Sequence, residues 1–217
     1  MNERVAFDLE CAAAQAAPPL VAGADEVGRG ALAGPLVAAA VCFDYAEWTA
    51  DDFALLGAVN DSKRVAPARR QLLCRAILAR ARQVSVVVCA AARIDERGLQ
   101  ACNVAALAAA LAALQPAPPV CLVDGYPLPA GAPPHRAVVG GDGRSAAVAA
   151  ASIVAKVTRD RLMARLDGCF PGWGFAEHVG YATPSHHEAI ARLGVCVLHR
   201  RSFQSVAYRQ LGFDLRE

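Results

Sequence analysis

The chain has 217 residues, 55% of them hydrophobic, and a formal net charge of +2. That length makes one large domain or a domain with a small appendage, and the near-neutral balance says little by itself about a polyanionic partner. No apolar run reaches the ~18 residues of a membrane helix, and the charged start Met1-Asn2-Glu3-Arg4 lacks a signal-peptide core, so a cytoplasmic protein with no membrane contact is expected.

In chain order, residues 1–18 read as a helical or loose lead-in that closes on Pro18. Leu20–Asp25 reads as a buried strand and Pro35–Phe43 as a second. The short glycine-bearing link between them favours an antiparallel pair. Pro67–Arg82 has Leu72, Leu73, Ala76 and Ile77 at helical spacing and is an amphipathic helix. Gln83–Ala90 is a valine-rich third strand, and Arg93–Leu114 a long helix stopped by Pro116, Pro118 and Pro119. Val120–Val123 is a short buried strand that runs into Asp124-Gly125, and Arg136–Val139 is a further strand. The turn Gly140-Gly141-Asp142-Gly143 leads to an alanine-rich helix, Ser145–Leu166. Phe170–Pro184 is a loop with Trp173, His178 and Tyr181, followed by a short helix over Ser185–Leu193. Strands first, then strands mixed with helices, make an α/β or α+β layer fold.

Two features concern charge and sulfur. From Asp61 to Arg82 seven basic residues stand against one acid, and from Arg192 to Arg209 there are four arginines, His199 and no acid. Such runs suit a phosphate backbone or a solvated helix face. The eight cysteines are scattered without a C-x-x-C pair, which favours buried free thiols over a disulfide framework or zinc site.

Acids stand at three points in core-forming segments: Asp25 with Glu26, Asp124, and Asp160. A buried charge is costly unless it is paired or holds a metal. Taken singly, an acid after a strand serves as a cap or turn residue, and Asp160 between Arg159 and Arg161 is a solvated cluster; only the combination points to a metal. At about 100° per residue, Asp160, Lys156 and Ile153 share a helix face. Four carboxylates from three elements, all hard oxygen donors, suit Mg²⁺ or Mn²⁺ rather than zinc. Two such ions about 3.5–4 Å apart can activate a water and stabilise the leaving oxygen in phosphodiester hydrolysis.

Gly28 and Gly30 let backbone N–H groups approach a ligand, and Arg29 between them can fork onto a phosphate. The next glycine, Gly34, comes one position too late for G-x-G-x-x-G. Strand neighbours point to opposite faces, so either the strand ends or bulges at Glu26, or Glu26 acts through its backbone carbonyl. The only lysines, Lys63 and Lys156, stand against twenty arginines and mark places for a compact ammonium.

The stretches Ala24-Asp25-Glu26-Val27-Gly28-Arg29-Gly30, Asn60-Asp61-Ser62-Lys63, Ile94-Asp95-Glu96 and Val123-Asp124-Gly125 occur in order. Ala149–Asp160, Gly180-Tyr181-Ala182-Thr183 and His199-Arg200-Arg201-Ser202-Phe203 follow. In order and spacing the chain resembles ribonuclease HII, the type 2 ribonuclease H family. The resemblance implies a ribonuclease H-like α/β fold, a mixed sheet flanked by helices with a C-terminal helical extension. It divides the chain into a lead-in (1–18), a catalytic domain (19–167) and a C-terminal substrate-binding portion (168–217).

It also implies an endonuclease that cuts RNA in RNA·DNA hybrids and cuts 5′ of single ribonucleotides embedded in duplex DNA, leaving 3′-hydroxyl and 5′-phosphate ends. By position, Asp25, Glu26, Asp124 and Asp160 would be the catalytic, metal-binding carboxylates for Mn²⁺ or Mg²⁺. Gly28, Arg29 and Gly30 would read the 2′-OH, the group that distinguishes RNA from DNA. Tyr181 would pack on the junction sugar, and Lys63 and Lys156 would contact substrate. The enzyme would act as a monomer, and Gln210-Leu211-Gly212-Phe213 faintly resembles a sliding-clamp-binding peptide. Where many members have Lys-Gly-Asp this chain has Gly140-Gly141-Asp142; Gly98 replaces an asparagine, and Ala182 a proline. The rival readings are another nuclease of this fold, of resolvase or exonuclease type, and a non-catalytic hybrid-binding module.

Overall fold

In the computed structural model, residues 2–56, 66–203 and 208 are described. The elements run α1 (Glu3–Ala14), β1 (Leu20–Val27), β2 (Leu36–Asp44), α2 (Ala50–Leu56), α3 (Pro67–Arg80) and β3 (Gln83–Cys89). Next come α4 (Ala91–Arg97), α5 (Leu99–Ala112), β4 (Val120–Asp124), β5 (Arg136–Val138) and α6 (Gly141–Arg144). The chain continues through α7 (Ala146–Cys169), α8 (Phe175–His178) and α9 (Pro184–Leu193). None of the described helices is long and apolar enough to cross a membrane.

The strands form one mixed sheet of order β3-β2-β1-β4-β5. β1 is central because it is apolar on both faces: β2 pairs with it antiparallel, as the short link requires, and β4 pairs parallel on the other side. β5 extends the parallel part. All of β2 up to Phe43 is buried, which explains its unbroken Leu-Val-Ala-Ala-Ala-Val-Cys-Phe run.

Two compact units divide the chain: residues 1–27, 37–87 and 104–157, and residues 28–36, 88–103 and 158–217. In the first, α7 begins on the sheet. Its residues from Ala146 to Ala155 are all buried, and they are mostly alanine because the helix lies unusually close: a Cβ on Gly23 of β1 would fall 2.1 Å from the Val148 nitrogen. The lead-in is a true helix, capped by the Asn2 side chain on the Arg4 N–H. It brings the buried Asp8 carboxylate to the start of α7, where Asp8 accepts from the Ala147 N–H at 2.9 Å and from the Tyr45 hydroxyl.

The second unit gathers Ala33, Met163 and Phe175, with Trp173, Val179 and Cys196 packed around them. The expected continuous helix over 93–114 is broken. Gly98 takes φ +82°, a left-handed value that ends α4 before α5 begins. All eight cysteines are free, but only five are buried as expected: Cys89 and Cys196 are half-buried and Cys169 is exposed.

Candidate active site

The first unit assembles three of the expected carboxylates. β1 and β4 run parallel in register to Ala24↔Val123, so Asp25 and Asp124 are the next residues of neighbouring strands. In-register residues of adjacent strands share a face. Gly23, two residues earlier, meets α7 at Val148; Asp25 lies one pleat further, where Ser152, one helix turn on from Val148, hydrogen-bonds its carboxylate. Asp25 is 6% exposed, and its Oδ1 also accepts the Glu26 N–H at 2.7 Å. Burial first, then the charges of Glu26 and Asp124, raise its carboxyl well above the usual range. On Asp124, Oδ1 accepts the Gly141 N–H at 2.6 Å. A side chain at Gly141 would begin 3.2 Å from that same oxygen.

Glu26 corrects one expectation. β1 neither ends nor bulges there: its ladder with β2 runs unbroken through Glu26↔Ala38 and Val27↔Val37. Strict alternation starts the half-buried Glu26 side chain on the face opposite the buried Asp25, although its charge still raises the Asp25 carboxyl. Of the two routes open to Glu26, the backbone carbonyl is the one consistent with a regular strand.

The second unit shapes the Gly28–Pro35 loop with two buried guanidiniums. From Arg159, Nε donates to Pro35 O at 2.8 Å, Nη1 to Val179 O at 2.8 Å and Nη2 to Ala33 O at 3.1 Å. Arg200 donates through Nε and Nη2 to Gly34 O and through Nη1 to Arg29 O. Burial, and then the charge of Arg159, push Arg200 down to about 10; burial also lowers Arg159. Asp95 secures the Arg200 segment by accepting from the N–H groups of Arg201 and Ser202 and from the Ser202 hydroxyl.

This corrects the reading of the second basic run, since Arg200 is fully buried and bonded to carbonyls. The first run is also partly consumed: Arg70 is buried, and Arg80 pairs with Asp52 at 2.6 Å.

Gly28 has φ +89°, and a Cβ there would lie 2.3 Å from Arg159 Nε, so the loop needs this glycine for its own shape. Gly30 has nothing within 4 Å of such an atom. The Arg29 side chain reaches Gln100 Oε1 at 3.2 Å. Tyr181 lies with its ring 5.3 Å from the Arg159 guanidinium carbon. Asp160 is half-buried on α7, next to Arg159, whose charge it favours; Lys156 is half-buried one turn earlier. Lys63 and the 210–213 segment lie outside the described residues. Arg159, Arg200 and Asp95 were not singled out from the sequence. Their signal was a charged residue inside a motif that had no role of its own.

Residues 22–206 match the sequence family described as ribonuclease HII. The chain belongs to the ribonuclease HII family. It is 49% identical over 187 residues to the ribonuclease HII of Salinispora arenicola, which covers 86% of this chain and 68% of that protein. The Sinorhizobium fredii ribonuclease HII is 49% identical over 185 residues, 85% of this chain and 77% of that one. Among solved structures, the ribonuclease H2 from Pyrococcus horikoshii superposes with a TM-score of 0.73 at 26% identity, over 91% of this chain and 99% of that chain. The ribonuclease HII in a complex with PCNA from Archaeoglobus fulgidus gives 0.71 at 28% identity, over 86% and 96%. The fold is thus ribonuclease H-like, and as a ribonuclease HII the chain is a metal-dependent ribonuclease H endonuclease.

The donor set fits that dependence. Asp25 and Asp124 offer hard carboxylate oxygens with no sulfur or imidazole, the chemistry preferred by Mg²⁺ and Mn²⁺. They and Glu26 are near enough for two of them to raise the proton affinity of the third. Among the described residues, no three His, Cys, Asp or Glu side chains close tightly enough to grip an ion as they stand.

Proposed function

We propose that this ribonuclease H endonuclease, besides hydrolysing the RNA strand of RNA·DNA hybrids, incises duplex DNA 5′ of a single embedded ribonucleotide, leaving 3′-hydroxyl and 5′-phosphate ends. The observation that carries the reading is the placement of Asp25 beside Asp124 at the ends of parallel strands, with Ser152 behind. Asp25, Asp124 and Asp160 hold the divalent ions through their carboxylates, and Glu26 joins them through its backbone carbonyl. Bound Mg²⁺ or Mn²⁺ supplies an activated water and stabilises the leaving oxygen.

The remaining residues recognise substrate. Gly28, Arg29 and Gly30 read the 2′-OH, and Tyr181 packs on the sugar that follows. Lys156 and Lys63 contact the phosphate backbone as compact cations. The enzyme acts as a monomer in the cytoplasm, in the removal of ribonucleotides from DNA. A DNA duplex carrying one ribonucleotide tests the reading directly. A single nick on its 5′ side is expected with Mg²⁺ or Mn²⁺; an uncut duplex, or cuts without regard to the ribonucleotide, would overturn it.

The relative solved with PCNA favours a second partner, a sliding clamp that binds residues 210–213. Truncation after Tyr208 should then abolish clamp binding, and undiminished binding would dispose of the idea.

A further inference from the structure

Tyr181 stands on a strained turn. Val179 has φ +44° and Gly180 φ +81°, and a β-branched residue in the left-handed region is a genuine outlier. Such strain persists only where the surroundings over-determine it. Gly180 is held on both sides: its carbonyl accepts the Leu32 and Ala33 N–H groups, and its own N–H donates to His178 Nδ1 at 3.1 Å. The carbonyl of Tyr181 is met by His186 Nδ1 at 2.9 Å.

Behind that contact is a buried chain of imidazoles whose protons can be assigned. A carbonyl only accepts and an amide N–H only donates. His178 receives the Gly180 N–H on Nδ1 and faces Trp173 O at 2.6 Å with Nε2, so its proton is on Nε2. His199 receives the Cys196 N–H on Nδ1 at 2.9 Å, so its proton is on Nε2 as well. That Nε2 lies 3.2 Å from His186 Nε2, which must accept. The single proton of His186 is therefore on Nδ1, aimed at Tyr181 O. His178 and His186 also stack at 4.2 Å, and Phe175 lies against all three rings. Burial keeps His186 and His199 uncharged by lowering both to about 4.

We propose that His186, locked as the Nδ1–H tautomer by His199 and Cys196, is a positioning residue for Tyr181 and so governs cleavage at an embedded ribonucleotide. The inference rests on the reading of Tyr181 as the contact to the junction sugar. A non-polar residue at 186 would leave the Tyr181 carbonyl held by the Thr183 N–H alone, at 2.8 Å, and free the residue to shift about that single bond.

The test compares initial rates on a duplex with one embedded ribonucleotide and on a long RNA·DNA hybrid. Losing one positioning hydrogen bond in His186→Leu should lower the first rate about tenfold more than the second. His186→Asn, whose amide nitrogen takes the Nδ1 position, should recover most of the loss. Tyr181→Ala serves as the control. If Tyr181→Ala slows both substrates equally, the reading of Tyr181 fails and the inference with it. If Tyr181→Ala is selective but His186→Leu is not, the inference alone fails. Should His186→Leu not fold, the ¹⁵N spectrum of histidine-labelled wild-type protein at neutral pH decides: a proton on Nδ1 of His186 is expected, and one on its Nε2 overturns the proposal.

Discussion

A Cβ on residue 23 would fall 2.1 Å from the nitrogen of Val148 and 2.2 Å from the carbonyl carbon of Ala147. β1 and α7 therefore meet backbone to backbone, and neither side has a flexible group that can yield. Gly23→Ala should cost at least about 3 kcal/mol, seen as insoluble protein or as a Tm lower by about 6–12 °C. An unchanged melting curve would show that α7 does not press on β1 there.

Asp25→Asn should abolish cleavage on every substrate. The same change replaces a buried carboxyl whose ionised form burial and two neighbouring carboxylates oppose, so the variant should melt no lower than the wild type in EDTA at pH 8. Full activity, or a collapse in Tm, would contradict the role assigned to this residue.

Gly28 and Gly30 should respond differently to alanine. At position 28 the new Cβ meets Arg159 Nε at 2.3 Å and Pro35 O at 2.9 Å at a left-handed φ, so Tm and activity should fall together. At position 30 the Cβ enters open space, so Tm should stay within about 2 °C, a change of under about 0.5 kcal/mol. Lost cleavage by Gly30→Ala at unchanged Tm would report contact with the substrate; unchanged cleavage would remove Gly30 from the reader.

Asp8 predicts a pH dependence of stability. Burial raises its carboxyl from the usual 3.8 to about 6, against the opposing hydrogen bonds from Ser145, Tyr45 and the α7 backbone. The folded protein then holds this proton more tightly than the unfolded chain. Its contribution is complete below pH 4 and is lost as pH rises through 6, by about 3 kcal/mol. Urea unfolding from pH 4 to 7 should show this decline relative to Asp8→Asn. Parallel profiles for the two proteins would place the raised group elsewhere.

Much of the fold was legible because its signals are local. Pro67 opens α3, the valine run gives β3, and the alanine-rich stretch after Ser145 gives α7. Gly98 carried a local signal too, but the apolar pattern on both sides outweighed it. The parallel pairing of β1 with β4 had no such signal, since it joins segments about a hundred residues apart, and it is what sets Asp25 beside Asp124. The acids were readable as charges out of place at strand ends. Arg159 and Arg200 were not, because an arginine that bonds only to carbonyls has no partner in the sequence to betray it.

Those two arginines also bear on when the enzyme becomes complete. The bonds from Arg159 to Pro35 and from Arg200 to Arg29 span 124 and 171 residues of chain. A nascent chain emerging from the ribosome has Asp25, Glu26 and Asp124 long before it has the groups that fold back the Gly28–Pro35 carbonyls. Contacts of such separation form late. Synthesis thus delivers all five strands of the sheet before either arginine that shapes the link between β1 and β2.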